Sequence, residues 1–184
     1  MQHKNAGFLV RLLAILTDFL IELSIFFLGL YAFVLMLSVE NFVASTLNLL
    51  LYFILFVLLF SLIRIYYSVY FISNFGGTIG KLVFNLNVVD SSTSDFVSLK
   101  RAFYRLLVGY TFSGQFFGWG FLRIIKNQNN LAWHDELFNT KVVSKGTAIS
   151  GFMVFVGLVM LVGFIIFKTY TTFETSEYFQ FLLQ

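Results

Sequence analysis

The sequence predicts an all-α integral membrane protein with three full transmembrane helices, a glycine-rich re-entrant hairpin (or a fourth span), and a small cytoplasmic cap that contains short β-strands. Of the 184 residues, 59% are hydrophobic and only 11% are charged, and the mean hydropathy is +0.86. A soluble domain has about 25% charged residues. Three stretches are also long and apolar enough to cross the hydrocarbon core of a bilayer, which takes about 20 residues.

The three full spans are predicted at Ala6–Leu37, Asn48–Phe71 and Ile149–Phe167. The first is too long for the apolar core of a cleavable signal peptide, so it is interpreted as a retained span. The last span has three glycines spaced by six residues, which allow close helix contact on one side. The tail, Lys168–Gln184, mixes acidic, aromatic and aliphatic residues and is predicted to lie on the membrane surface.

The segment Ala102–Ile125 has two interpretations: a loosely packed full span, or a re-entrant hairpin that turns near Ser113–Gln115. The loops on either side, residues 73–102 and 126–149, each carry three Lys or Arg residues. A full span would place them on opposite faces, whereas positive charge concentrates in cytoplasmic loops. A glycine-rich turn is allowed at membrane depth where protein or water covers it. The pattern favours re-entry, with the amino terminus on the cytoplasmic side of the inner (plasma) membrane.

The cytoplasmic cap is predicted from alternating apolar residues outside the spans. Residues Leu82–Val89 alternate as a strand does, and Asp90–Asp95 has the composition of a turn. A second short strand is predicted at Thr140–Val143 and could pair with the first. That pairing requires both loops to lie on the same side of the membrane, which again favours re-entry.

A charged stripe runs along the first span and is the candidate functional feature. Arg11, Asp18 and Glu22 fall near one line on a helix with 100° per residue. Each charge costs about 2.5–3.5 kcal/mol at the bilayer centre, so the stripe is expected to face other helices or enclosed water. Arg64 on the second span is a reachable partner for Asp18. The stripe is either a cation or proton site, in which adjacent carboxylates raise one pKa, or a structural ion pair.

Asp135 is the candidate charged residue of the cap. It is predicted to bind backbone N–H groups, or to form an ion pair with Lys81, Arg101 or Arg105. A metal site is not predicted, because the chain has no Cys and only two His. The run Gly76–Lys81 lacks the spacing and the Ser or Thr of a phosphate loop. No nucleophile–base pair is visible either, so the sequence predicts neither an enzyme nor a cofactor.

Several short motifs, taken together, resemble the RDD family of membrane proteins. They are Ala6-Gly7-Phe8, Arg11-Leu12-Leu13-Ala14, Asp18, Gly77-Thr78, Gly80-Lys81, Val88-Val89-Asp90, Leu99, Arg105, His134-Asp135, Thr140 and Val142-Val143. The family is named for one arginine and two aspartates, which the resemblance assigns to Arg11, Asp18 and Asp135. The resemblance covers about residues 6–145. We therefore expect an RDD-like membrane domain at 1–145 and an additional transmembrane helix and tail at 146–184.

The resemblance implies a membrane-embedded domain with a role in transport, since some members are linked to sodium/proton antiport and others are attached to larger assemblies. The first functional hypothesis is therefore ion or small-solute transport, with Asp18 titrating and Arg11 or Arg64 as counter-charge. The alternative is a non-transporting scaffold or assembly subunit that docks another membrane protein. The expected partners are the lipid bilayer and a second copy or another membrane protein. Nucleic acid is not expected, because the net charge of +3 is explained by the basic cytoplasmic loops.

Overall fold

The computed structural model describes residues 4–36, 46–109, 120 and 122–175. Within these ranges it is mostly helical, with one small sheet. The named elements in chain order are α1 (Phe8–Met36), α2 (Thr46–Phe75), α3 (Ile79–Val83), β1 (Leu86–Asp90), α4 (Leu99–Tyr104), a π-helical turn (Arg105–Gly109), α5 (Trp133–Leu137), β2 (Thr140–Ser144) and α6 (Ile149–Glu174). The chain divides into two compact units, residues 1–18 with 64–155, and residues 19–63 with 156–184.

Among the described residues, three helices are long and apolar enough to cross a membrane, as predicted. The qualifying stretches are Phe8–Ala32, Leu50–Phe75 and Ile149–Glu174. The last helix continues past Phe167, where the sequence predicted its end, because the residues that follow include neither Pro nor Gly to stop it. Residues up to Glu174 are therefore part of α6, and the remainder of the predicted surface tail, residues 176–184, lies outside the described residues.

The first unit contains the sheet. Strands β1 and β2 pair antiparallel, with Val88 opposite Val142, so the predicted pairing is confirmed. The first strand begins at Leu86 and not at Leu82, because residues 79–83 form the short helix α3. Asn85 reverses the chain between them with a φ of 56°, a conformation that Asn tolerates better than most residues.

The hydrophobic core of the first unit lies beneath the sheet. Phe84, Leu86 and Val88, the alternating residues of the predicted strand, are all fully buried. They form one cluster with Ala14 of α1 and Val142 of β2, among others. We call the sheet together with the short helices α3, α4 and α5 the cap. The start of α1 packs against it through apolar contacts.

The second unit contains an aromatic cluster. The Phe26 ring on α1 lies 5.8 Å from the Phe56 ring and 6.0 Å from the Phe60 ring on α2, measured between ring centroids. A methyl group on Gly29 would come within 3.0 Å of the Phe56 ring, so this glycine lets the two helices approach. Aromatic pairs of this kind contribute to the packing of α1 on α2 beyond the area that they bury.

The segment between the two basic loops is described only at its ends. It enters as α4 and the π-helical turn Arg105–Gly109, and residues 122–126 are again helical. The turn predicted near Ser113–Gln115 lies outside the described residues.

Candidate functional site: a buried arginine–aspartate cluster

Asp135 lies at the centre of a buried cluster with Arg11 and Arg105, which we call the arginine–aspartate cluster. Its Oδ2 accepts a hydrogen bond of 2.5 Å from Nη1 of Arg11, and its Oδ1 accepts one of 2.6 Å from Nη2 of Arg105. Oδ2 also accepts from the backbone N–H of Ala132, which precedes α5, at 3.2 Å. Both carboxylate oxygens are thus bound by charge-assisted hydrogen bonds.

Arg11 joins the start of α1 to three parts of the cap. Its Nε donates to the carbonyl of Ala6 at 3.0 Å, and its Nη2 donates to the carbonyls of Asn130 at 2.7 Å and Val142 at 3.4 Å. The backbone reinforces this attachment, since the N–H of Ala6 donates to the Val142 carbonyl at 2.8 Å. The guanidinium therefore holds the first span to the cap.

Arg105 binds the other oxygen of Asp135 and joins the π-helical turn to α5 and β2. Its Nε donates to the hydroxyl of Thr140 on β2 at 3.1 Å. The side chains of Arg105 and Asp135 are 1% and 0% exposed, and that of Arg11 is 7% exposed. A buried charge is tolerated only when it is paired and hydrogen-bonded. All three side chains are paired with an opposite charge, and Nη1 of Arg105 is the one buried polar side-chain atom of the described cluster without a hydrogen bond.

The pKa values in the cluster follow from burial and from the two guanidinium groups. Burial by itself would raise the pKa of the Asp135 carboxyl, but Arg105 and Arg11 outweigh it and hold that pKa well below its usual range. Burial, with a further contribution from Arg105, lowers the pKa of neighbouring His134 to about 3. Asp135 is therefore ionised and His134 neutral at neutral pH.

Asp18 binds the start of α3, and its described hydrogen bonds do not include the residues of this cluster. Its Oδ2 accepts a 2.5 Å hydrogen bond from the hydroxyl of Thr78, and its Oδ1 accepts a 2.7 Å bond from the backbone N–H of Gly80. The carboxylate thus satisfies an N–H group that the helix cannot satisfy itself. A side chain at Gly80 would clash with the Ala14 carbonyl and with Asp18.

The contacts of Arg11 and Asp18 differ from those predicted for the charged stripe. Arg11 binds Asp135 and not Asp18, because the helix separates Arg11 and Asp18 by about 10 Å along its axis. Glu22 is half-buried and Arg64 is exposed. Lys81 donates to the Thr78 hydroxyl at 3.3 Å, and Arg101 pairs with Asp90. Of the three predicted ion-pair partners of Asp135, Arg105 is therefore the one that binds it.

Sequence reasoning missed the two groups that bind Asp18. Thr78 and Gly80 belong to the run Gly76–Lys81 and to the family motifs, and neither pattern predicts a partner for them. A Thr that precedes a short helix is an ordinary capping signal. Here its hydroxyl is used to bind a carboxylate 60 residues away. The backbone N–H of Gly80 has no signature in the sequence.

A model of the RDD family matches residues 5–139. The chain belongs to the RDD family. The match includes all three residues assigned to the family's name, Arg11, Asp18 and Asp135. No curated protein and no solved structure matches the chain.

The described part of this RDD family protein limits the chemistry of the site. It contains no group of three or more His, Cys, Asp or Glu that could hold a metal ion. The charged groups in the cluster bind one another and the backbone. Such an arrangement can fix the position of helices and loops, and it can hold Asp135 ionised over a wide pH range.

Proposed function

We propose that this RDD family protein is a non-transporting membrane scaffold, in which the family's charged residues assemble the cap and the apolar helices dock a second membrane-embedded chain. The observation that carries the proposal is the pairing of Arg11 with Asp135 at 2.5 Å. The arginine of the stripe is thereby engaged in a structural ion pair at the start of the first span.

The contacts of the cluster support an assembly role over a transport role. Arg11 and Arg105 bind the N-terminal segment, the loop before α5 and strand β2, and these contacts join segments that are distant in sequence. A transport site needs a group that can exchange its partner during the cycle. Breaking a buried ion pair costs about 3–5 kcal/mol, which opposes such exchange.

The second span supports docking. In its most apolar window within Leu50–Phe75 no residue is buried inside the chain. An open apolar groove of about 430 Å³ runs along this helix and is lined by residues that include Phe53, Val57, Leu58 and Leu62. Helices in lipid associate through close van der Waals contact, and a groove of this kind fits the side chains of another helix. The partner we propose is a second copy of this chain.

The ends of the segment Ala102–Ile125 support the re-entrant hairpin. Arg105 at one end binds Asp135, and Arg123 at the other end binds Glu136 at 3.1 Å. Asp135 and Glu136 are adjacent on α5, so the segment begins and ends at the same short helix. This arrangement, with the basic loops on either side, supports re-entry from the cytoplasmic face of the plasma membrane.

The first experiment measures ion movement by the reconstituted protein. Vesicles that hold the full chain and a pH-sensitive dye are compared with protein-free vesicles under an inward sodium gradient. The scaffold proposal predicts equal proton movement in both, and no change in Asp18→Asn. Sodium-driven proton movement that requires the protein and disappears in Asp18→Asn would overturn it.

The second experiment tests docking through α2. The chain has no Cys, so a single introduced thiol reports one position. Leu58 lines the groove and is 57% exposed, so Leu58→Cys is the test variant. Met160 on α6 is 67% exposed, and Met160→Cys is the control. We expect disulfide-linked dimers in the membrane for Leu58→Cys and few for Met160→Cys. Equal crosslinking at both positions, or monomer alone at Leu58→Cys, would contradict docking through this groove.

Transport is retained as the second candidate because of Asp18. The partners described for its carboxylate are the neutral hydroxyl of Thr78 and the N–H of Gly80. A carboxylate in the first span that is bound by two neutral donors is a candidate site for a cation. Cation/proton exchange at Asp18, with Glu22 one turn further along α1, is the reaction that the vesicle experiment would detect.

A further inference from the structure

The helix that precedes the undescribed segment has apolar residues on its exposed side as well as on its buried side. Ala102 belongs to the hydrophobic core and Leu106 packs against it, whereas Leu99 is 55% exposed. Phe103 and Leu107 are exposed on the same stretch. A helix on the surface of a soluble protein exposes a polar side instead. The medium outside this helix is therefore expected to be apolar.

Residues 122–126 repeat this arrangement where the chain leaves the same segment. Ile124 is buried, whereas Leu122 and Ile125 are exposed, Ile125 by 63%. The two stretches belong to the same compact unit. We call Leu99, Lys100, Phe103, Leu107, Ile125 and Lys126 the basic apolar face.

The charge of this region has one sign. Residues 96–134 contain five Lys or Arg and no Asp or Glu. The three arginines are engaged by carboxylates: Arg101 by Asp90, Arg105 by Asp135 and Arg123 by Glu136. Lys100 and Lys126 are exposed, and neither makes a hydrogen bond or an ion pair within the described residues.

We propose that the basic apolar face lies at the membrane surface and binds anionic phospholipid, with Lys100 and Lys126 contacting headgroup phosphates. The exposed Leu, Ile and Phe side chains then contact the upper acyl chains. A lysine or arginine near an anionic membrane surface contributes about 1 kcal/mol to binding. A free phosphate ion would gain nothing from the apolar side chains, so the face favours a lipid. The proposal uses described residues alone, and it is independent of the scaffold role.

The test uses lipids that quench tryptophan fluorescence. The chain has two tryptophans, and Trp119→Phe leaves Trp133 as the reporter. Trp133 begins α5, which packs on the π-helical turn through His134 and Gly109. The full chain is placed in micelles mixed with brominated phosphatidylglycerol or brominated phosphatidylcholine. We expect the anionic lipid to bind more tightly by up to about 30-fold, which corresponds to two charges at about 1 kcal/mol each.

Two matched double variants distinguish binding by the lysines of this face from an effect of the net charge. Lys100→Gln with Lys126→Gln is expected to abolish the preference for phosphatidylglycerol. Lys4→Gln with Lys168→Gln removes the same charge from two exposed lysines elsewhere and is expected to keep it. All variants are made in Trp119→Phe. Equal quenching by both lipids in Trp119→Phe alone, an equal loss in the control variant, or displacement of the anionic lipid by excess inorganic phosphate would overturn the proposal.

Discussion

The two oxygens of the Asp135 carboxyl group are bound by guanidinium groups from distant parts of the chain. Arg11 lies 124 residues before Asp135, and Arg105 lies 30 residues before it. The cluster holds two positive charges and one negative charge away from water, so each arginine depends on the carboxylate and on carbonyl or hydroxyl acceptors. The consequence of removing one partner is therefore larger than for a surface pair.

We predict that Asp135→Asn lowers the free energy of unfolding by about 3–5 kcal/mol, because it leaves two buried guanidinium groups without a counter-charge. Thermal unfolding of the purified protein in detergent measures the effect. Asp95→Asn is the control, since Asp95 is exposed in the cap, and should change stability by less than about 0.5 kcal/mol. Adding Arg105→Met to Asp135→Asn should recover part of the loss. Equal melting temperatures for Asp135→Asn and Asp95→Asn would refute a stabilising role for the cluster.

We predict that stability falls as the pH is lowered from about 6.5, because of His134. The pKa of this histidine is about 3 in the folded protein, so below pH 6.5 the unfolded chain binds a proton that the folded protein does not. The loss is at most about 1.4 kcal/mol for each pH unit. The carboxyl of Asp135, whose pKa is lowered, adds a loss only below about pH 4.

Melting temperatures measured from pH 7.5 to pH 4.5 test this dependence on His134. His134→Gln should reduce the slope between pH 6.5 and 4.5, since Gln does not titrate. The matched control is His3→Gln at the other histidine of the chain. A slope that is unchanged by His134→Gln would contradict the prediction. A slope that is reduced by His3→Gln would assign the pH dependence to His3 instead.

Among the secondary-structure elements, short helices and glycines join the long helices to the cap. The five-residue helix α3 is too short to be stable alone, and the carboxylate of Asp18 on α1 binds its first turn. Helix α6 contacts the cap core at Gly151, where a methyl group would clash with the ring of Phe84. Of the three glycines on this helix, Gly157 and Gly163 have nothing within 4 Å of an added methyl group.

We predict that Gly151→Ala destabilises the protein by about 1–3 kcal/mol, because the Phe84 ring is fully buried and cannot move aside without cost. Gly157→Ala is the same substitution on the same helix. It should be neutral or stabilise the protein by up to about 1 kcal/mol, because Ala favours a helix over Gly. Melting temperatures of the two variants measure the difference. Equal effects would mean that Gly151 does not mark a close contact with the cap.

For the whole molecule, local sequence patterns predicted the parts that depend on local physics. Hydropathy identified three long helices, and alternation identified the buried residues Phe84, Leu86 and Val88. The pairing of Arg11 with Asp135 could not be predicted in this way, because a contact across 124 residues leaves no periodic pattern. The partners of Asp18 could not be predicted for another reason. One of its donors is the backbone N–H of Gly80, and because every residue except Pro carries such a group, the sequence does not mark it.

The path of the chain between Arg105 and Arg123 determines the topology of the whole protein. Both arginines bind adjacent residues of α5, and 17 residues separate them. A helix needs about 20 residues to cross the bilayer core, so a path out and back would need about 40. Two helical legs that shared these 17 residues would reach about 13 Å at 1.5 Å per residue, less than half of a core of about 30 Å.

We therefore predict that Ser92→Cys and Gln128→Cys, on either side of this segment and both exposed, react with a membrane-impermeant thiol reagent from the same face. Glu174→Cys, 25 residues along α6 from its start, should react from the other face, since 25 residues of helix rise about 37 Å. Labelling of intact and of inside-out vesicles distinguishes the faces, and the native chain without Cys gives the background. Labelling of Ser92→Cys and Gln128→Cys from opposite faces would require a full fourth span, and with it a different arrangement of the cap.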